Sequence, residues 1–366
     1  MNTKQQKSVL VLVASNRRRG AEVFGEHLSR GLGDIGWEVD FVALQSVTSD
    51  RVVSASTLTD RGSLGRIDLG TVRSLRSRIR DTGPSVILAN GGATLRYAIA
   101  ARVGLRPNPV LAYASIGEPR YWIRSTRHAR LQTFLHRRAD LVLAVSDMTR
   151  TQLVDDLHVD AERIHVAHTG VAPAYFVDGG DPHEELRMVY LGSISDEKDP
   201  IGALDVVSGL RGSHDVMLRM IGDGPLAAEV KDYAREMVLD DVVEFTGPVE
   251  DVTPHLRWAD VLILTSRTEG LPGAALEAGA ASVPVVAFDV GGTSETMIDG
   301  TTGILVRERD TDTMVASIDA LARDRQRLAS MGEAARTFVA QNYTLETAIT
   351  RYDAILDEAV TEARQR

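Results

Sequence analysis

Two glutamates and one lysine are the residues whose type and spacing most readily do chemistry. Glu269 and Glu277 stand with seven residues between them, in Thr268-Glu269-Gly270-Leu271-Pro272-Gly273-Ala274-Ala275-Leu276-Glu277. Pro272 suits the first turn of a helix, where its missing N–H costs nothing. The small residues around it let a ligand approach the backbone. The free amides of a helix N-terminus, with the helix dipole, favour a phosphate by roughly 0.3–2 kcal/mol. Glu277 then lies about a turn and a half inside the helix, among Ala, Leu and Gly. A carboxylate there needs hydrogen-bond donors, because burying it bare is costly. A sugar diol supplies two. On spacing alone, a Glu277 that faces solvent or pairs with an arginine stays open. Lys198 stands in the polar stretch Gly192-Ser193-Ile194-Ser195-Asp196-Glu197-Lys198-Asp199-Pro200. A lone lysine in a polar loop is ordinarily just solvated.

Several other chemistries are excluded or weakened. The chain of 366 residues has no cysteine, hence no disulfide, thiol nucleophile or thiolate metal site. The first apolar run leads into Ser15-Asn16-Arg17-Arg18-Arg19-Gly20-Ala21-Glu22, with one glycine where a dinucleotide fingerprint needs three. Met220-Ile221-Gly222-Asp223-Gly224-Pro225 has Gly-x-Gly without the third glycine, and there is no Walker loop. His165 and His168 lack a carboxylate in register, so no metal site is expected.

These residues need a scaffold that ends strands beside helix N-termini. In the first half, strands are predicted over 8–14, 38–44, 85–90, 109–114, 141–145 and 164–167. Helices alternate with them over 21–33, 75–81, 94–102 and 147–156, with one long basic helix over 121–138 and a loop over 46–70. Residues 172–185 read as a linker. The rhythm restarts with strands over 187–191, 216–222, 242–245, 261–265, 285–289 and 303–306, and helices over 202–210, 226–237 and 273–281. Helices close the chain from 311, the last over 345–364. Short apolar strands alternating with helices indicate parallel sheets covered on both faces. The expected class is α/β, with two doubly wound domains facing each other across a cleft. Ligands bind at the carboxyl ends of such strands. The domains are placed at 1–175 and 186–345, with a terminal helix over 346–366 packing back on the first.

Charge divides the halves. Residues 1–170 hold 24 Lys+Arg against 16 Asp+Glu, and residues 171–366 hold 17 against 35. Arg120, Arg124, Arg127, Arg130, Arg137 and Arg138 are interleaved with Tyr121, Trp122, Leu131, Phe134 and Leu135, without an acid. Arg73–Arg80 adds four more arginines. Such a surface fits an anionic membrane, an anionic acceptor or plain solvent. No nucleic-acid recognition motif accompanies it. No run reaches the ~18 apolar residues of a spanning helix, and 8–15 reads as a buried strand rather than a signal peptide. A cytoplasmic setting, extending to the inner face of the membrane, fits these features.

The glutamate pair, the Lys198 loop and the strand-end glycines together resemble the family-4 retaining glycosyltransferases of GT-B type (glycosyl transferases group 1). The likeness is densest over 188–306. It implies that Glu269 meets the transferred sugar and Glu277 the ribose, with Gly270, Leu271, Pro272 and Gly273 lining sugar and phosphate. Lys198 would neutralise the diphosphate, making Lys198 and Glu269 the catalytic pair. Gly192, Ser193 and Gly222 would line the donor, with Ser193 where many members have arginine. Pro248 and Val249, within 248–251, would meet the nucleobase. Gly20 matches the second glycine of the family's Gly-Gly-Ala-Glu turn, with Arg19 at the first. Relatives place a histidine after the strand ending at Ala114; here Ser115 and Glu118 are the nearest polar groups. Asp147 and Gly170 also match recurrent positions, or serve as helix cap and turn.

The resemblance implies transfer of a sugar from a UDP- or GDP-sugar, with retention, to a glycan, lipid-linked or small-molecule hydroxyl. It implies no cofactor and no required metal. The rivals are a nucleotide-sugar epimerase of the same architecture, disfavoured by the missing histidine, and a non-catalytic sugar-nucleotide-binding module.

Overall fold

A computed structural model of the chain describes residues 7–47, 52–59, 67–123, 125–178, 180 and 183–365. Arg124, parts of the expected 46–70 loop and parts of the expected linker lie outside the described residues. The chain divides into two compact units, Met1–Gly170 with Leu345–Arg366, and Val171–Thr344.

In the first unit the order is β1 (Ser8–Ser15), α1 (Gly20–Asp34), β2 (Glu38–Gln45), β3 (Ser56–Thr57), α2 (Leu69–Thr82), β4 (Val86–Asn90), α3 (Gly92–Arg102), β5 (Val110–Ser115), α4 (Pro119–Trp122), α5 (Thr126–His136), β6 (Leu141–Ala144), α6 (Asp147–Asp155) and β7 (Ile164–Val166). The seven strands lie in the order β3-β2-β1-β4-β5-β6-β7, and every pair is parallel. All residues of β4, β5 and β6 are buried, which is why their sequences are apolar runs rather than alternations. Asp68 caps α2 by accepting from the Thr71 amide at 2.7 Å, and Gly83 ends that helix in the left-handed region.

The second unit carries β8 (Leu186–Leu191), α7 (Pro200–Leu210), β9 (Val216–Ile221), α8 (Ala227–Glu236), β10 (Val243–Gly247), α9 (Thr253–Trp258), β11 (Val261–Leu264), α10 (Gly273–Ala280), β12 (Val285–Phe288), β13 (Gly303–Val306), α11 (Thr311–Arg323) and α12 (Arg325–Asn342). Its sheet runs β10-β9-β8-β11-β12-β13, again parallel throughout. Both sheets thus wind outward from their first strand and reverse direction there, the doubly wound order. The switch point lies between β8 and β11 in the second unit. α13 (Leu345–Gln365) returns to the first unit. It packs on α1, where Ile349 fills the space left by Gly31, and Trp37 donates to Asp353 at 2.7 Å.

Several details differ from the sequence expectations. Residues 171–178 pack with the second unit: Val171 N donates to the Tyr343 carbonyl at 2.8 Å, and Arg336 donates to the Val177 carbonyl at 2.8 Å. The expected basic helix over 121–138 is two helices, α4 and α5. Ser125 starts the second by accepting from the His128 amide. The sequence reading lacked β3 and α9. Among the described residues no helix is long and apolar enough to cross a membrane.

Candidate active site

The site is built at the carboxyl ends of β8, β9 and β11, at the switch point of the second sheet. The loops after β8 and β9 lie backbone on backbone. Gly192 N donates to the Ile221 carbonyl at 3.0 Å, and Ile194 N to the Asp223 carbonyl at 3.1 Å. Gly222 has φ +141, and a methyl on it would run into the Gly192 carbonyl oxygen; one on Gly224 would run into that of Ile194. The glycines of this Gly-x-Gly are therefore needed for close approach of two loops.

The loop after β8 is also fastened to the loop after β11. Thr265 Oγ1 donates to the Asp199 carbonyl at 2.7 Å, and Arg267 N donates to the Glu197 carbonyl at 2.9 Å. The Arg267 guanidinium spans Asp196 at 2.8 Å and Asp199 at 3.2 Å. Tyr190, from inside β8, donates its hydroxyl to the Ser193 carbonyl at 2.9 Å. Burial, and next the charge of Glu269, push this phenol far above its ordinary pKa, so it stays a neutral donor.

These fastenings bring Lys198 and Glu269 together. Lys198 Nζ lies 2.7 Å from each carboxylate oxygen of Glu269, and Ser266 Oγ donates to Oε1 at 2.6 Å. Glu269 is 6% exposed. The chain continues through buried Gly270, Leu271 and Pro272 into α10. Pro272 stands one position before the helix rather than inside its first turn, and its carbonyl accepts from the Ala275 and Leu276 amides. The amides of Gly273 and Ala274 precede the first of these donors, in the helix-start position that suits an anion. Gly273 is exposed, and a methyl there would meet nothing within 4 Å. Glu277 is half-buried on the second turn of α10.

A small recess opens beside this site, lined among others by Ile194, Gly222, Asp223, Phe245 and Gly247. Of the expected base-binding pair, Pro248 is exposed and Val249 packs on the core cluster around Leu256 and Leu262. Neither lines the recess. Gly222, Ser193 and Gly192 are thus grouped with Lys198 and Glu269, while Pro248 and Val249 follow the end of β10. Sequence reasoning missed Ser266, Tyr190 and Arg267, because a serine, a tyrosine or an arginine at a strand end carries no pattern.

In the first unit, Gly20 opens α1, exposed, and a methyl added to it would meet nothing within 4 Å. Glu22, in the same turn, is buried, and burial pushes its carboxyl up to about 7. Ser115 ends β5, buried. Glu118 accepts from Gln152 Nε2 at 2.9 Å, which commits one of its oxygens to α6. The cap of α6 is Ser146, accepting from the Thr149 amide, rather than Asp147.

Comparison with known proteins places this architecture. The family model for glycosyl transferases group 1 matches residues 172–338, and that for glycosyltransferase family 4 matches residues 18–175. The chain is 30% identical over 247 residues to the GDP-mannose-dependent alpha-(1-6)-phosphatidylinositol monomannoside mannosyltransferase of Mycolicibacterium smegmatis, covering 62% of this chain and 64% of that protein. It is 28% identical over 244 residues to the D-inositol 3-phosphate glycosyltransferase of Corynebacterium kroppenstedtii, covering 61% and 54% respectively. The chain thus spans 54–64% of the length of these relatives. Among solved structures, Anabaena HepE in complex with UDP and glucose matches with a TM-score of 0.81 at 20% identity, covering 96% and 99% of the two chains. Sucrose-phosphate synthase from Thermosynechococcus elongatus matches with 0.84 at 18% identity, covering 98% and 100%. The fold is GT-B. The chain belongs to the family-4 glycosyltransferases.

Proposed function

We propose that the protein transfers a sugar from a nucleotide-sugar donor to an acceptor hydroxyl, with retention at the anomeric carbon. The observation that carries this reading is the Lys198–Glu269 pair, set at the sheet's switch point just ahead of the α10 amides. In this reading Lys198 and the Gly273 and Ala274 amides receive the diphosphate. Glu269 accepts from the hydroxyls of the transferred sugar, and Glu277 from the ribose. The acceptor oxygen attacks the anomeric carbon as its bond to the phosphate oxygen breaks, and the departing diphosphate takes the acceptor's proton. Positive charge at Lys198 stabilises the negative charge that grows on that leaving group. In this reading Lys198 and the backbone amides meet the diphosphate without a divalent metal.

Relatives named for GDP-mannose and structures holding UDP support a UDP- or GDP-sugar as donor. A relative named for a phosphatidylinositol monomannoside supports a lipid-linked or glycan acceptor. The test is incubation with UDP- and GDP-sugars in the presence and absence of EDTA, followed by NMR of the anomeric proton. Transfer or slow hydrolysis with retained configuration is expected, insensitive to EDTA. Epimerised donor, or binding without turnover, would replace this reading by an epimerase or a binding module. Loss with EDTA restored by magnesium would remove its metal-free part.

A further inference from the structure

We propose that the Lys198–Glu269 pair is a selector that makes the site hold an intact sugar nucleotide in preference to the nucleoside diphosphate left after transfer. This rests on the function proposed above and concerns which ligand the same site releases. In the ligand-free arrangement, Lys198 Nζ lies 2.7 Å from both oxygens of Glu269, and Ser266 Oγ is a further donor, at 2.6 Å from Oε1. The carboxylate is the buried partner, with a side chain 5% exposed; the lysine, at 26%, is the partner a ligand reaches. An ammonium has three N–H groups, and two of its directions are already committed to this carboxylate.

A phosphate that draws Nζ away leaves Glu269 buried and ionised, with Ser266 still donating to it. Removing one partner of a buried pair is costly because the other charge stays unpaired. The hydroxyls of a sugar attached to that phosphate offset this cost, since they bring donors to the oxygens that Nζ gives up. A nucleoside diphosphate has no such hydroxyls. It must either share the lysine with Glu269 or leave the carboxylate without its cation. Once the sugar has left, re-formation of the Lys198–Glu269 pair therefore competes with the product and speeds its departure.

The test compares full-length wild type with Glu269→Gln and Ser266→Ala by calorimetry, using UDP, GDP, UDP-glucose and GDP-mannose as probes, with thermal melting to check folding. Glu269→Gln removes the charge that holds Lys198, so the diphosphate should bind about tenfold more tightly. The matching sugar nucleotide should not gain. Ser266→Ala should move diphosphate affinity the other way, several-fold weaker, because Glu269 would lose the serine's hydrogen bond just when the lysine leaves. Opposite signs in the two variants support the selector. Diphosphate affinity unchanged or weakened in folded Glu269→Gln overturns it, and so does a gain shared equally by the sugar nucleotide. If Glu269→Gln does not fold, an unchanged or tightened diphosphate in Ser266→Ala overturns it alone. Wild type that binds none of the four probes sinks the proposed function, and the selector with it.

Discussion

At the scale of single residues, the site's charged groups were legible from spacing and motif, but the donors that hold them were not. Glu269, Glu277 and Lys198 sit in sequence contexts that resemble a family pattern. Ser266 and Tyr190 act through one hydroxyl each, and neither residue type announces a partner three residues away along the chain. The distinction matters for mutagenesis. Glu277→Ala should weaken sugar-nucleotide binding, since a hydrogen bond to a charged group contributes roughly 1.5–3 kcal/mol. Calorimetry on the folded variant checks this, and unchanged affinity would remove Glu277 from the ribose. Lys198→Ala should lower turnover more than it lowers donor affinity, because charge on the leaving diphosphate grows as the bond breaks. An equal loss in both, read as kcat against Kd, would make the lysine a binding group only.

At the scale of elements, the alternation of apolar strands and helices sufficed to read two parallel sheets, because β4, β5, β6 and β11 are buried along their whole length. What escaped was short or ambiguous: β3 has two exposed residues, and α9 has six residues. Glycines separate structural from functional demands. Gly222→Ala forces a methyl against the Gly192 carbonyl at a φ of +141, and should destabilise the protein by about 1–3 kcal/mol. Gly273→Ala has open space and a helical position, so stability should hold or rise slightly while donor affinity falls. Denaturant melts and calorimetry on both variants check the contrast; equal destabilisation would refute it. The first turn of α1 supplies a pH dependence. Glu22 has its pKa raised from 4.5 to about 7 by burial. Between those values the folded chain binds more protons than the unfolded one, so this group's contribution to stability falls as pH rises from about 4.5 to 7. Glu22→Gln should therefore stabilise the protein above pH ~7, by up to about 3 kcal/mol, and change little near pH ~4. A Gln variant whose stability follows wild type across that range would show that the carboxyl is not burdened by burial.

At the scale of the whole molecule, the charge asymmetry acquires an address. Arg78 is held by Asp40 at 2.7 Å and Arg120 by Asp156 at 2.9 Å, so part of the basic excess is internal pairing. α5 is different. Arg127, Arg130, Leu131 and Phe134 recur at helical spacing and all four are exposed, while Leu135 is buried. Leu131 is 49% and Phe134 51% exposed, and the Arg138 guanidinium lies 4.8 Å from the Phe134 ring centroid. A helix face of arginine and exposed apolar side chains suits the boundary of an anionic bilayer, where each basic residue near the surface adds about 1 kcal/mol. Such contact would deliver a lipid-linked acceptor to the enzyme. Flotation with vesicles containing anionic lipid should therefore carry the protein upward at low salt and release it as salt rises, since surface charge is screened. Changing Arg127 and Arg130 to Ser should reduce flotation by removing charge. Changing Leu131 and Phe134 to Ser should reduce it with a salt dependence that persists. A protein that stays at the bottom at low salt, yet turns over a water-soluble acceptor at full rate, would show that the acceptor reaches the enzyme through water and that α5 is a solvated face.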